Sequence, residues 1–99
     1  MLNINKTIEN GKATLSLEGR LDTTTAPDLE KELKEVLDGV SELTLDFSAL
    51  EYISSAGLRV LLSAQKRMNK QGEMKITHIN DIVREIFDVT GFTDILKIE

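Results

Sequence analysis

The sequence has no cysteine and no tryptophan, and only one tyrosine, one proline and one histidine among its 99 residues. Without cysteine there can be no disulfide framework and no thiolate metal site, the usage expected in a reducing compartment. With Tyr52 as the only tyrosine, platforms for stacking nucleic-acid bases are scarce. No apolar run approaches the ~18 residues of a membrane-spanning helix. The opening "MLNINKTIEN" lacks the basic flank and apolar stretch of a signal peptide. Basic charge is also in deficit: 12 Lys and Arg against 17 Asp and Glu leave a net charge of −5. Such a chain is a poor match for phosphate backbones or anionic membranes. These absences imply a soluble, cytoplasmic protein that binds neither nucleic acid nor membrane directly and meets other proteins or small solutes.

What is present suits one domain spanning residues 1–99, with 40% hydrophobic residues to form a single core. Ile4, Lys6 and Ile8 alternate with polar residues, as do Ala13, Leu15 and Leu17. Asn10-Gly11 lies between, a pair that tolerates the positive φ angles of a tight turn. The pattern predicts an antiparallel hairpin of residues 2–9 and 12–18. In "TTTAPDLEKELKEVLDG", Leu29, Leu33, Val36 and Leu37 share a helical face, with Thr24 or Thr25 as cap, Pro27 in the first turn and Gly39 as terminator. "ELTLDF" reads as a buried strand. A second helix carries Leu58, Leu61, Leu62, Gln65 and Met68 inward and stops at Gly72. "EMKITHI" is the next strand. "NDIVREIFDVTG" is a third helix with Ile82, Val83, Ile86 and Phe87 inward, and "DILKIE" is a last short strand. The order ββαβαβαβ implies parallel crossovers in a layered α/β domain, with a mixed, mostly parallel sheet.

The stretch "EYISSAGLRV" joins the third strand to the second helix. A serine oxygen there can accept one of the unpaired N–H groups, a contribution of about 1 kcal/mol. Capping needs one serine, and Ser54 and Ser55 are both present. Residues 53–57 lack the first glycine of a Gly-x-Ser-x-Gly nucleophile elbow, and His78 is the only histidine available as a base. The glycine-rich nucleotide fingerprints are absent as well, so neither a catalytic residue nor a cofactor is expected. In a parallel sheet, loops leaving the carboxyl ends of strands gather on one edge. Asp22, Thr23, Ser54 and Ser55 should therefore share a surface. Asp22 alone reads as turn chemistry, and Asp46 alone as a strand-end hydrogen-bonding residue.

The run "LTLDFSALEYISSAGLRVLL" resembles the signature of STAS domains, specifically the stand-alone bacterial anti-sigma factor antagonists. "GRLDTTTAPDL" is similar to the family's Gly-x-Leu-Asp loop, and "NDIVREIFDVTGFTDILKI" to its closing helix, glycine turn and last strand. The resemblance implies the STAS fold and a protein-binding role, with no enzymatic activity of its own. It implies that Ser55 is phosphorylated by the anti-sigma factor, a serine kinase of the ATPase class, and that a PP2C-type phosphatase reverses this. The unphosphorylated form would bind the anti-sigma factor through Asp22, Thr23, Ser54, Ser55, Ala56, Gly57 and Arg59, Ala56 and Gly57 letting the partner's backbone come close. Two departures stand out. Ser54 occupies the position of the family's usual Asp, and the family's final helix has no counterpart before Glu99. They point to an alternative, a STAS subunit of a stress-signalling or lipid-transport complex that works without phosphorylation.

Overall fold

The computed structural model describes residues 2–99. Strands β1 (Leu2–Glu9) and β2 (Lys12–Leu21) form the antiparallel hairpin, in register from Leu2↔Gly19 to Glu9↔Lys12. Its turn is the left-handed pair Asn10 (φ 52°) and Gly11 (φ 78°), whose twist matches that of the strands. Helix α1 (Ala26–Val36), strand β3 (Glu42–Ile53), helix α2 (Ser55–Gln71), strand β4 (Glu73–Thr77) and helix α3 (Asp81–Thr90) follow. β2, β3 and β4 are parallel neighbours, so the sheet order is β1-β2-β3-β4.

Each step across this sheet goes the same way, and right-handed crossovers then place every helix on one face. The burial pattern agrees. Leu15, Leu45 and Ile76 share a register row and are fully buried, as are Leu17 and Phe47. Leu29 of α1, Leu61 and Met68 of α2, and Val83 and Phe87 of α3 meet them at 0% exposure. The opposite face carries the rows Thr14–Thr44–Lys75 and Ser16–Asp46–Thr77, which stay exposed or half-buried. A ten-residue helix such as α3 is marginal alone. Burial of Val83 and Phe87, about 1.5–3 kcal/mol each, holds it. No helix among the described residues is long and apolar enough to cross a membrane.

The structure departs from the sequence reading in five places. β3 runs on past Phe47 to Ile53, because register shifts against β2 absorb its extra residues and hide its alternation. β4 ends at Thr77, and His78 turns out of the sheet with φ 61°. The last strand is reduced to a 3₁₀ turn, Phe92–Asp94, and a single bridge between Ile98 and Ile76. Ile82 is 58% exposed and not inward, since Val83 and Phe87, one turn apart, take the core. No threonine side chain caps α1.

Gly72 ends α2 where β4 begins, with the Glu73 N–H on the Ser41 carbonyl at 2.9 Å. A Cβ at Gly72 would overlap that carbonyl and its own carbon, which are backbone and cannot rotate away. Gly72→Ala is expected to destabilise the fold by at least about 2 kcal/mol, read as a lower urea midpoint at constant m-value.

Candidate functional site

The site is built where β2 and β3 end together. Leu21 and Ile53 are register partners, and one residue further the Ser54 N–H donates to the Leu21 carbonyl at 2.8 Å. This last rung puts the loop after β2 beside the start of α2. Asp22, Thr23, Ser54 and Ser55 are thus brought to one edge.

Asp22 organises the loop. One oxygen of its carboxylate accepts from the Thr24 N–H at 3.0 Å, the Thr25 N–H at 3.1 Å and the Thr24 hydroxyl at 2.8 Å. The Thr24 hydroxyl contributes most to holding the Asp22 carboxyl below its usual range; the Thr25 and Thr24 N–H groups add to it. Its carboxylate thereby fixes the loop that leads into α1, and its backbone carbonyl accepts from the first helical N–H, that of Ala26, at 2.8 Å. Thr25, which is buried, closes the loop from inside: its hydroxyl donates to the Arg20 carbonyl and accepts from the Asp22 N–H, both at 2.8 Å. Arg20 lies over the Tyr52 ring, 4.6 Å from its centroid, with Nε 4.0 Å from the outer Asp22 oxygen.

Ser54 is the N-cap of α2. Its side chain accepts a long, 3.5 Å bond from the Gly57 N–H, and its carbonyl accepts from the Leu58 N–H at 2.9 Å. Ser55, the first helical residue, is exposed, and its hydroxyl has no hydrogen-bond partner among the described residues. Thr23, Ala56 and Arg59 line one groove of about 310 Å³ with Ala26 and Pro27, between the starts of α1 and α2. Gly57 is different. It is buried, and a Cβ there would come within 2.7 Å of Leu21 Cγ and 2.8 Å of Ile53 Cγ1. Its missing side chain lets α2 sit down on the strand ends. The close approach it permits is that of its own sheet and not of a partner.

His78 and Asp46 form a separate pair, with Nδ1 3.3 Å from the carboxylate. The Asp46 carboxyl is held below its usual range chiefly by the Ser48 N–H at 2.9 Å, with His78 a smaller influence. Asp46 is paired with Thr77 and lies in the row of Ser16, while Ile53 lies in the row of Leu21, so the start of α2 is roughly 15–20 Å further along the sheet at about 3.3 Å per residue of β2. That separation removes His78 as a base for Ser55. The sequence reading named Thr25 only as a candidate cap; its role in closing the loop shows only in the structure. That reading missed Asn80, which caps α3 through Val83 N–H (2.7 Å) and ties it to β3 through the Leu50 carbonyl (3.0 Å). An Asn directly before the acidic first turn of a helix is a recognisable cap signal.

A sheet covered on one face, with an aspartate-held loop and a free serine at its carboxyl edge, defines a small α/β domain whose chemistry is presented on a rim and not enclosed in a cleft. The chain belongs to the STAS domain family, whose sequence model matches residues 3–99. It is 37% identical over 91 residues to BtrV of Bordetella bronchiseptica, a protein named provisionally as an anti-sigma factor antagonist; the match covers 90% of this chain and 78% of BtrV. The crystal structure of an anti-sigma factor antagonist from Mycobacterium paratuberculosis superposes with a TM-score of 0.90 at 24% identity, over 99% of this chain and 85% of that one. SpoIIAA of Bacillus, solved in its phosphorylated form, superposes with a TM-score of 0.74 at 14% identity, over 100% and 91%.

Two outcomes test this construction. Glycine-to-alanine changes inside helices usually stabilise by up to about 1 kcal/mol. Gly57→Ala is expected to reverse that sign and destabilise by about 1–3 kcal/mol in urea unfolding, because Leu21 and Ile53 cannot both move. Asp22 has a folded-state pKa below its unfolded one, so its contribution is complete above about pH 4 and fades as pH falls through the lowered value. The stability gap between the parent and Asp22→Asn, followed by urea melts, should therefore be constant from pH 7 to about 5 and close toward pH 2.

Proposed function

We propose that this chain is an anti-sigma factor antagonist that acts in the cytoplasm. It binds an anti-sigma factor of the serine-kinase, ATPase class, and phosphorylation of Ser55 ends that binding. The observation that carries the reading is the free, exposed Ser55 hydroxyl at the head of α2, in register with the family signature. The names of the relatives support the antagonist role. That SpoIIAA has a phosphorylated form supports the switch.

The local physics is consistent with a switch that spares the fold. A phosphate adds a charge of about −1.5 to −2 and three strong acceptors. At a helix N-terminus the dipole favours that charge by about 0.3–1 kcal/mol. Thr23, Ala56 and Arg59 flank the acceptor and form the contact rim, while Asp22, Ser54 and Gly57 fix the two loops beneath it. Ser54 in the family's Asp position preserves the cap, since serine and aspartate cap about equally well. What it removes is a negative charge next to the acceptor. A PP2C-type phosphatase would restore the binding form. That missing charge also favours a second reading, an unphosphorylated STAS subunit of a stress-signalling or lipid-transport assembly.

Incubation with the anti-sigma kinase, ATP and Mg²⁺, followed by mass spectrometry, should place one phosphate on Ser55 and none in Ser55→Ala. Ser55→Asp should weaken kinase binding about tenfold or more while melting within about 3 °C of the parent. Unfolding of that variant would sink the interface mechanism. Co-purification with transporter subunits, and no phosphate on Ser55, would select the second reading.

A further inference from the structure

We infer that the outer ridge of α2, formed by Arg59, Lys66 and Lys70 below Ser55, is a docking track for an acidic protein surface. The inference rests on the reading of Ser55 above and names what its partner must present.

The chain is acidic, at −5, yet α2 has Arg59, Lys66, Arg67 and Lys70 and no Asp or Glu at all. The other two helices are net acidic: Asp28, Glu30, Glu32 and Glu35 against Lys31 and Lys34 on α1, and Asp81, Glu85 and Asp88 against Arg84 on α3. At 100° per residue, Ser55, Arg59, Lys66 and Lys70 fall within an arc of about 60° on the side away from Leu61, Ala64 and Met68. All four are exposed, while Leu58, Leu61 and Met68 are buried against the sheet. The line is about 22 Å long at 1.5 Å per residue. Lys6, Lys12, Lys34, Lys75 and Lys97 each have a carboxylate within 4.0 Å. Among the described residues, none of the four basic groups of α2 has one, and Arg67 turns back to Gln71 Oε1 at 3.4 Å.

Like charges stacked at these spacings work against the helix that carries them. A complementary acidic surface removes that repulsion on binding and steers the encounter. The acidic α1 packed beside α2 disfavours a broad polyanion such as a duplex or a membrane, and leaves the exposed ridge of α2 as a narrow strip. A phosphate on Ser55 would stand at the head of this strip and face the same acidic surface. Repulsion by the partner, not reshaping of the domain, then ends binding.

Lys66 and Lys70 lie about 16 Å or more from Ser55 along the helix, so K66Q/K70Q leaves the acceptor untouched. Circular dichroism should show it melting within about 3 °C of the parent. With the anti-sigma factor that binds the parent, its association rate constant should fall about five- to tenfold in 50 mM NaCl and nearly match the parent's in 500 mM. Equal rates in 50 mM NaCl overturn the inference. If no anti-sigma factor binds the parent, it is the Ser55 reading that fails, and the ridge is tested alone. A twenty-residue poly-glutamate added to ¹⁵N-labelled protein should then shift the Arg59, Lys66 and Lys70 amides in the parent and not in K66Q/K70Q. Absence of those shifts, or ridge shifts with phosphatidylserine vesicles or duplex DNA but not with poly-glutamate, would overturn the inference.

Discussion

The 2.8 Å hydrogen bond from the Ser54 N–H to the Leu21 carbonyl is the point on which the rest of the molecule turns. It is the last rung between β2 and β3, and it joins two chain segments that leave the sheet in different directions. On one side Asp22 and Thr25 fold the loop that opens α1; on the other Ser54 opens α2. Gly57 lets α2 descend onto the two residues that the rung aligns, Leu21 and Ile53. The serine is therefore held by backbone geometry and by the core below it, while its own side chain stays free. Ser55, held this way, keeps its position with its hydroxyl unengaged.

Much of this frame is legible in the sequence, and the reasons are local. Asn10-Gly11 can do little but turn, and the alternation of Ala13, Leu15 and Leu17 names the buried face of β2. Helix ends at Gly72 and Gly91 follow from the same kind of punctuation. The failures have a common cause too. β3 beyond Phe47 is defined by register shifts against β2, a property of two strands that neither shows alone. Ile82 and Phe87 both belong to the apolar arc of α3, and only packing decides which of them the sheet receives. The final residues look like a strand, yet only Ile98 reaches Ile76.

At the site the same division holds. Capping by Ser54 and the grouping of Asp22 with the two serines follow from rules about helix starts and parallel strand ends. That Asp22 ties down the loop before α1 while neither Thr24 nor Thr25 caps the helix, and that Gly57 serves the interior, depend on distances no sequence pattern expresses. Charge placement occupies a middle ground. The absence of carboxylates from α2 is visible in the sequence, but its meaning depends on knowing that α2 packs beside the acidic α1 on the covered side of a sheet.

Among the described residues, no helix covers the sheet's other face, and the rows through Thr14 and Ser16 stay exposed or half-buried. Half of the strand positions thus answer to solubility and strand propensity alone, without a packing partner to constrain volume. Such positions can drift during evolution while the fold is conserved. The Mycobacterium paratuberculosis protein keeps this fold, with a TM-score of 0.90, at 24% identity. An uncovered layer of this kind leaves volume free to vary there, and concentrates the demand for close packing on the helical side.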